Sequence, residues 1–423
     1  MNSPQLLPRI LTPRIQAALS NFPVVVVTGA RQTGKTTLVQ MHPLSQGRTF
    51  RSLDDFDVLE RAQRSPNVFV EEADRLTIDE VQRTPDLLLA IKRAVDKERR
   101  PGRYLLTGSA NLLMMRRVSE SLAGRAMYLT LQPMTVSERQ GVAWPGPWDD
   151  LVEAGNVLAV ERALPKVDKS IDWAELAARG GFPVATLKHG PDSRPDWFEG
   201  YIRTYLERDL QDVGSVSSLV DFRRLMRLAS LRTGRLLNQS ELGRDAALPQ
   251  PTVHRWLNLL ETSFQIVRIP AYASNRTKRL IKTPKLYWCD TGLACHLAGQ
   301  RSPDALMKSD LAGALLENLL LSELLAWREI ARDRVDILYW RTHGGHEVDF
   351  VLEKGGSLLP IEVKHSARVS LSDSAALIEF MNQNKKSAPW GMVVYRGTET
   401  IRLAERILAV PLGSLLGSTR PAA

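Results

Sequence analysis

Apolar residues along the chain gather in short runs, and their spacing defines its elements. Val24-Val25-Val26-Val27 is an unbroken β-branched run, Leu76-Thr77-Ile78 is a shorter one, and Tyr104-Leu105-Leu106 is a third. Each predicts a strand. Thr37-Leu38-Val39-Gln40 reads as the opening of a helix after the first strand, and residues 172 to 213 read as helical, with Tyr201, Tyr205 and Leu206 on one face and Arg203 spaced to pair with Glu207. Further on, Ser240 to Arg244 predicts one helix, Leu248-Pro249 a turn and Gln250 to Leu260 a second helix. Gln265 to Ile269 is then placed to pair with Lys285 to Trp288 as a two-stranded wing. Near the C-terminus Tyr339-Trp340 begins a strand, residues 346 to 352 alternate polar with apolar, Lys354-Gly355-Gly356 turns, and Leu359 to Lys364 returns as another strand.

The loop after the first strand carries chemistry. Gly29-Ala30-Arg31-Gln32-Thr33-Gly34-Lys35-Thr36 fits the phosphate-binding pattern G-x-x-x-x-G-K-[ST] in the required strand, loop, helix order. Glycines let the backbone curl round phosphates, Lys35 reaches the outer ones, and the Thr36 hydroxyl holds a magnesium ion. The helix that follows favours anions at its N-terminus. Asp79-Glu80 ends the second strand where such a magnesium would sit: Asp79 orients its shell, and Glu80 polarises the attacking water. Thr107-Gly108-Ser109 follows the third strand, and Ser109 or Asn111 is placed to sense the γ-phosphate, although an ordinary polar turn reads the same way.

Charge is unevenly placed. The total is +9, yet residues 223 to 285 alone hold thirteen Arg or Lys against three acidic residues, a net +10. So basic a block suits a polyanion. Read as a winged helix-turn-helix, it presents Gln250, Thr252, His254 and Arg255 to a groove, with Arg276, Lys278 and Arg279 at the wing tip near phosphates. A lid over the phosphate-binding loop or a protein contact remains the alternative. In the C-terminal hairpin Asp349 stands on one strand and Glu362-Val363-Lys364 on the next, with Glu362 and Lys364 sharing a face.

The set Gly29 to Thr37, Leu53-Asp54-Asp55, Ile78 to Gln82, Leu106 to Ser109, Leu122-Ala123-Gly124-Arg125, Gly180 to Pro183 and Tyr201 to Leu210 resembles the prokaryotic AAA-type P-loop ATPases fused to a C-terminal domain of unknown function. The resemblance runs over nearly the whole chain. It implies that Gly29, Arg31, Gly34, Lys35, Thr36, Thr37, Asp79 and Ser109 bind ATP and Mg²⁺. It also implies that Arg125 reads the γ-phosphate, in cis or across a subunit interface; a plain surface arginine is the alternative. The hairpin resembles the PD-(D/E)xK nucleases. That likeness implies that Asp349 and Glu362 bind Mg²⁺, that Val363 lends its carbonyl, and that Lys364 assists water or the pentavalent phosphate. An upstream helical glutamate completes such sites, and Glu317 is the candidate. Its helical neighbours Gly313, Ala314, Leu320 and Leu321 are small or apolar, so its carboxylate needs a partner or a metal. A hairpin whose Asp, Glu and Lys pair with each other remains open, as does a fold that binds DNA without cutting it.

Composition narrows the class. The chain has 423 residues, 43% hydrophobic and 24% charged, which suits two or three globular domains. Cys289 and Cys295 make neither a disulfide framework nor a zinc site. Met1 to Arg14 has three prolines and no apolar core, and Leu311 to Trp327 carries Glu317, Asn318 and Glu323, so neither a signal peptide nor a membrane span is expected and the cytoplasm is the expected compartment. The expected architecture is multidomain α/β. A P-loop AAA-type ATPase core spans 1–140, with a boundary near Trp144 to Trp148. A linker and helical segment spans 141–220, a winged-helix domain 221–298, a restriction-endonuclease-like α/β domain 299–415, and a tail 416–423. The expected function is a DNA-directed ATPase with a metal-dependent nuclease-like domain, open to homo-oligomers. The rival is an ATP-driven DNA-binding switch or remodeller whose nuclease-like fold is not catalytic.

Overall fold

A computed structural model describes residues 6–108, 122–165, 167, 171–207, 216 and 218–416. Ser109, Asn111 and residues 208–210 lie outside these, as do the side chains of Tyr205, Leu206 and Glu207. The chain divides into two compact units: residues 1–134 with 260–265, and residues 135–259 with 266–423.

In the first unit β1 (Val24–Thr28), β2 (Thr49–Ser52), β3 (Leu76–Asp79), β4 (Tyr104–Thr107) and β5 (Ala126–Thr130) form a sheet of order β2-β3-β4-β1-β5, with every pairing parallel. β1, β3 and β4 are buried along their whole length, which is why they read as unbroken apolar runs rather than as alternation. The helix Asp86–Lys97 buries Leu87, Leu88, Ile91, Ala94 and Val95, a stripe at helical spacing that joins the core over this sheet. Beyond β1 the connections leave in opposite directions, towards β2 on one side and from β4 to β5 on the other. The carboxyl end of β1 is therefore a topological switch point, where open α/β sheets hold ligands.

In the second unit the stretch expected to be helical contains Trp173–Arg179, Pro183–Leu187 and Arg194–Tyr201, followed by a π-helical turn over Ile202–Glu207. Proline in the first turn starts the later two, Pro183 at the first position of one and Pro195 at the second of the other. Gly180 ends the first, and a Cβ there would lie 2.6 Å from the Asp290 carboxylate. That buried carboxylate accepts the Gly181 N–H (2.6 Å) and the Leu293 N–H (2.8 Å), which gives the Gly180-Gly181 pair a packing role. Arg203 pairs with Glu199 at 2.8 Å, one turn before it, while its expected partner Glu207 has its side chain outside the described residues.

Helices Gln239–Ala246 and Gln250–Thr262 follow one another across a turn in which Ala247 is left-handed (φ 52°). β6 (Ile266–Ile269) and β7 (Lys285–Trp288) then make an antiparallel ribbon, with Ile266 opposite Trp288 and Ile269 opposite Lys285. The last part is a six-stranded mixed sheet of β8 (Val335–Arg341), β9 (Glu347–Lys354), β10 (Ser357–Lys364), β11 (Gly391–Tyr395), β12 (Ile401–Ala404) and β13 (Ile407–Pro411), ordered β12-β13-β11-β10-β9-β8. The helix Ala312–Ile330 packs on its β8 and β10 strands. Asn318 and Glu323 are buried on this helix, and among the described residues no helix is long and apolar enough to cross a membrane.

Candidate nucleotide site, basic face and acidic cluster

The loop after β1 is shaped by backbone that side chains rarely adopt. Gly29 (φ 136°), Gln32 (φ 66°) and Gly34 (φ 92°) are all left-handed, and a Cβ on Gly29 would lie 2.4 Å from the Leu131 carbonyl oxygen. Lys35 is buried at the start of the helix Lys35–Gln40, where its ammonium donates to the carbonyls of Gly29 (3.0 Å) and Ala30 (2.8 Å). Burial lowers its pKa to about 8, partly offset by the carboxylates of Glu80 and Asp79. Arg31 and Thr37 lie on the same loop and helix, half-buried and exposed respectively. Arg9, buried, braces the loop from outside by donating to the carbonyls of Thr33 (2.8 Å) and Gln132 (2.7 Å).

Asp79 is the hub. Thr36 Oγ1 donates to its two oxygens at 3.0 and 3.1 Å, Ser52 Oγ donates at 3.3 Å, and the Thr107 hydroxyl donates closely as well. The parallel register brings them together: Ser52 lies opposite Asp79, and Ile78 lies opposite Leu106 one residue before Thr107. Sequence reasoning passed over Ser52 and Thr107 as site residues, although a hydroxyl closing a strand beside an acidic strand end was the available signal. Glu80 sits one residue beyond with φ 58°, its N–H on Thr107 Oγ1 (3.3 Å) and its carboxylate accepting from Gln82. A non-glycine residue in that conformation is strained, and such strain gathers at working sites. A cation, a hydroxyl and a carboxylate thus converge at the switch point, a donor set that fits a magnesium-bound triphosphate.

Arg125 is not in this group. It precedes Ala126, which lies opposite Val24 at the amino end of the sheet, whereas the loop is at the carboxyl end. There its guanidinium takes Asp96 in a bidentate pair (2.6 and 2.9 Å). The γ-phosphate role in cis is therefore corrected: the parallel register separates Arg125 from the loop by the length of a strand.

The basic block divides on inspection. Arg255, Arg276 and Lys278 are exposed, as are Gln250 and His254, while Thr252 is half-buried. Arg276 and Lys278 stand on a short helix, Arg276–Ile281, inserted between the ribbon strands, so the expected wing tip is helical. Arg279 leaves the set of phosphate contacts. It is largely buried, donates to Glu353 and to the Ala273 carbonyl (2.6 Å), and lies over the Tyr272 ring at 4.9 Å. Lys285, counted in the same block, is 1% exposed. The ribbon is no free wing either: Leu286, Tyr287 and Trp288 are fully buried.

Lys285 points instead into the acidic cluster. Its Nζ lies 2.5 Å from Glu347, 3.2 Å from Asp349 and 3.8 Å from Glu317. Burial alone would lower the pKa of this ammonium, but Asp349, Glu317 and Glu347 outweigh it and hold it above its ordinary value. The second Asp349 oxygen accepts the Val363 N–H (2.9 Å), so the middle residue of the Glu362-Val363-Lys364 run contributes its N–H to the cluster. Glu317 accepts the Tyr287 hydroxyl (2.9 Å), and burial together with Asp349 pushes its carboxyl up to about 8. Glu362 pairs with Lys364 (2.8 Å), and burial and Asp349 push it also to about 8. The expected metal triad is thus corrected in its geometry. Glu317 and Asp349 meet, but around a lysine ammonium, while Glu362 is engaged by Lys364. Among the described residues no three His, Cys, Asp or Glu side chains are grouped to hold a metal ion. Lys285 was missed as a site residue because it opens an apolar strand, where nothing local marks which way its ammonium turns.

Fold and loop define the class: this is an AAA-type P-loop ATPase. A family model of the AAA domain matches residues 21–140, and models of two domains of unknown function, DUF8612 and DUF4143, match residues 170–304 and 312–415. An uncharacterized protein of Mycobacterium tuberculosis, Rv2008c, is 30% identical over 407 residues, covering 95% of this chain and 83% of its own, and Mb2031c of Mycobacterium bovis matches equally. The chain belongs to the same family as these proteins, and in it an AAA domain is joined to a C-terminal DUF4143 domain. Among solved structures it is similar to the Walker-type ATPase PABY2304 of Pyrococcus abyssi, at 16% identity and a TM-score of 0.40, over 68% of this chain and 94% of that one.

Proposed function

We propose that this ATPase is an ATP-driven, DNA-directed switch, in which ATP and Mg²⁺ at the Gly29 to Thr36 loop govern how the second unit engages DNA. The observation that carries the nucleotide half is the convergence of Thr36, Ser52 and Thr107 on Asp79 beside the buried Lys35. Thr36 and Asp79 are the residues to hold magnesium, which when bound supplies positive charge against the phosphates. Lys35 exchanges its loop carbonyls for phosphate oxygens, and Glu80 accepts the proton of the attacking water as general base.

The DNA half is supported by the exposed Arg255, Arg276, Lys278 and Lys282, next to a helix-turn-helix that a winged-helix reading accommodates. Two versions of the C-terminal nuclease-like domain fit this scheme: one cuts DNA when ATP allows, and the other holds DNA without cutting it. The ammonium lodged among the acidic residues favours the second.

The test measures DNA binding and ATP turnover by the full chain with Mg²⁺ and either ATP or a non-hydrolysable analogue, on plasmid and single-stranded DNA. Lys35→Ala is expected to abolish nucleotide binding. Glu80→Gln is expected to bind ATP, barely turn it over, and show the DNA affinity seen with the analogue. DNA affinity that ignores both nucleotide state and salt would overturn the proposal.

A further inference from the structure

Buried charge needs a counter-charge, and here the chain supplies it. Glu317 comes from the helix Ala312–Ile330, Glu347 and Asp349 from β9, and the ammonium from β7 of the ribbon, so three separate elements meet at one charged atom. The lysine is fixed from several sides. Its strand bridges Leu236, the Leu237 N–H takes the Pro284 carbonyl (2.8 Å), and the Leu286 N–H takes the Arg235 carbonyl (3.0 Å). Tyr287, two residues on, donates to the same Glu317 (2.9 Å), and the Lys285 Nζ lies 5.8 Å from the Tyr339 ring centre. On the other side the Asp349 carboxylate spends its second oxygen on the Val363 N–H. A divalent cation prefers several carboxylate or carbonyl oxygens round one point, and this point is filled by nitrogen.

We propose that Lys285 is the resident cation of this acidic site, standing in place of a divalent metal and pinning the ribbon to the C-terminal sheet. The site is then a structural joint between the helix-turn-helix region and the sheet, and metal-dependent strand cleavage is not among its activities. This holds whatever partner the second unit engages, because it depends on nothing outside the cluster.

The experiment titrates Mn²⁺ into the nucleotide-free full chain, following heat of binding and melting temperature for wild type, Asp349→Asn, Lys285→Met and Lys285→Arg. Wild type is expected to take up no Mn²⁺ that Asp349→Asn loses, and Lys285→Arg to behave as wild type. Lys285→Met removes the cation but leaves the carboxylates: it is expected to melt lower and to gain one Mn²⁺ equivalent that restores the melting temperature, a gain lost again when Asp349→Asn is added. A wild-type Mn²⁺ site abolished by Asp349→Asn would overturn the proposal, as would a Lys285→Met protein that melts like wild type and gains no site. If Lys285→Met does not fold, the wild-type and Asp349→Asn titrations still decide the matter.

Discussion

Replacing Gly29 by alanine adds one methyl group where the structure leaves no room. The new Cβ would lie 2.4 Å from the Leu131 carbonyl oxygen and 3.3 Å from its carbon, at a backbone φ of 136°. Two costs add. Holding a side chain in that sparsely populated region costs about 1–3 kcal/mol, and forcing a group into a packed site costs about 1–3 kcal/mol more. The steric part is hard to relieve because the obstacle is backbone: the Leu131 N–H is itself bonded to the Thr28 carbonyl at 2.8 Å. The expected loss is therefore about 2–6 kcal/mol in the unfolding of the ATPase unit. Gly47→Ala serves as the control, since its φ is 66° and nothing lies within 4 Å of the added Cβ. It isolates the conformational cost at about 1–2 kcal/mol. Urea unfolding followed by a probe in the first unit, together with binding of a fluorescent ATP analogue, measures both. If Gly29→Ala costs no more than Gly47→Ala and binds nucleotide normally, the close packing of loop against Leu131 is not what shapes this site.

Arg125→Ala is expected to leave ATP affinity and turnover of the isolated chain unchanged, because its partner is Asp96 and not the loop; a large drop in turnover would return it to the site. Among the basic residues, Arg276→Glu with Lys278→Glu is expected to weaken DNA binding and flatten its salt dependence without loss of stability. Arg279→Glu is instead expected to cost roughly 3 kcal/mol or more of stability by setting two carboxylates against each other at Glu353. Glu323, buried on the Val136 N–H (2.8 Å), has its carboxyl pushed by burial from an ordinary 4.5 to about 7. The folded state therefore binds this proton more tightly than the unfolded one, so its contribution is fully present below pH 4.5 and is lost as pH rises through 7. Glu323→Gln should remove a slope worth on the order of 3 kcal/mol between pH 5 and 8, read as the difference between wild-type and variant urea midpoints; parallel curves would refute the assignment.

The nucleotide loop was legible in the sequence because its chemistry is local: glycines, lysine and threonine lie within eight residues and the strand before them is a plain apolar run. Asp79 was legible for the same reason, as the acid closing another such run. Ser52 and Thr107 were not, because what makes them partners of Asp79 is sheet order, which places β2 and β4 on either side of β3. The acidic cluster was legible as a set of carboxylates and illegible as a site. Its cation comes from 64 residues before Asp349, on a strand whose remaining residues are apolar, and nothing local in Lys285-Leu286-Tyr287-Trp288 distinguishes a lysine facing DNA from one facing Asp349. The same holds for Arg279, whose Glu353 partner is likewise distant in the chain.

Asn318 makes the division at 298/299 hard to cut. Its amide donates to the Trp288 carbonyl (2.7 Å) while its carbonyl oxygen accepts the Trp288 N–H (3.0 Å) and the Thr233 hydroxyl (2.9 Å). One side chain thus finishes the open edge of β7 as a neighbouring strand would. A fragment ending before Asn318 would bare a peptide group that is fully buried in the whole chain, and a fragment beginning after residue 298 would bury an amide with nothing to bond. The helix-turn-helix region and the C-terminal sheet are therefore poor candidates for separate expression or for exchange with other proteins.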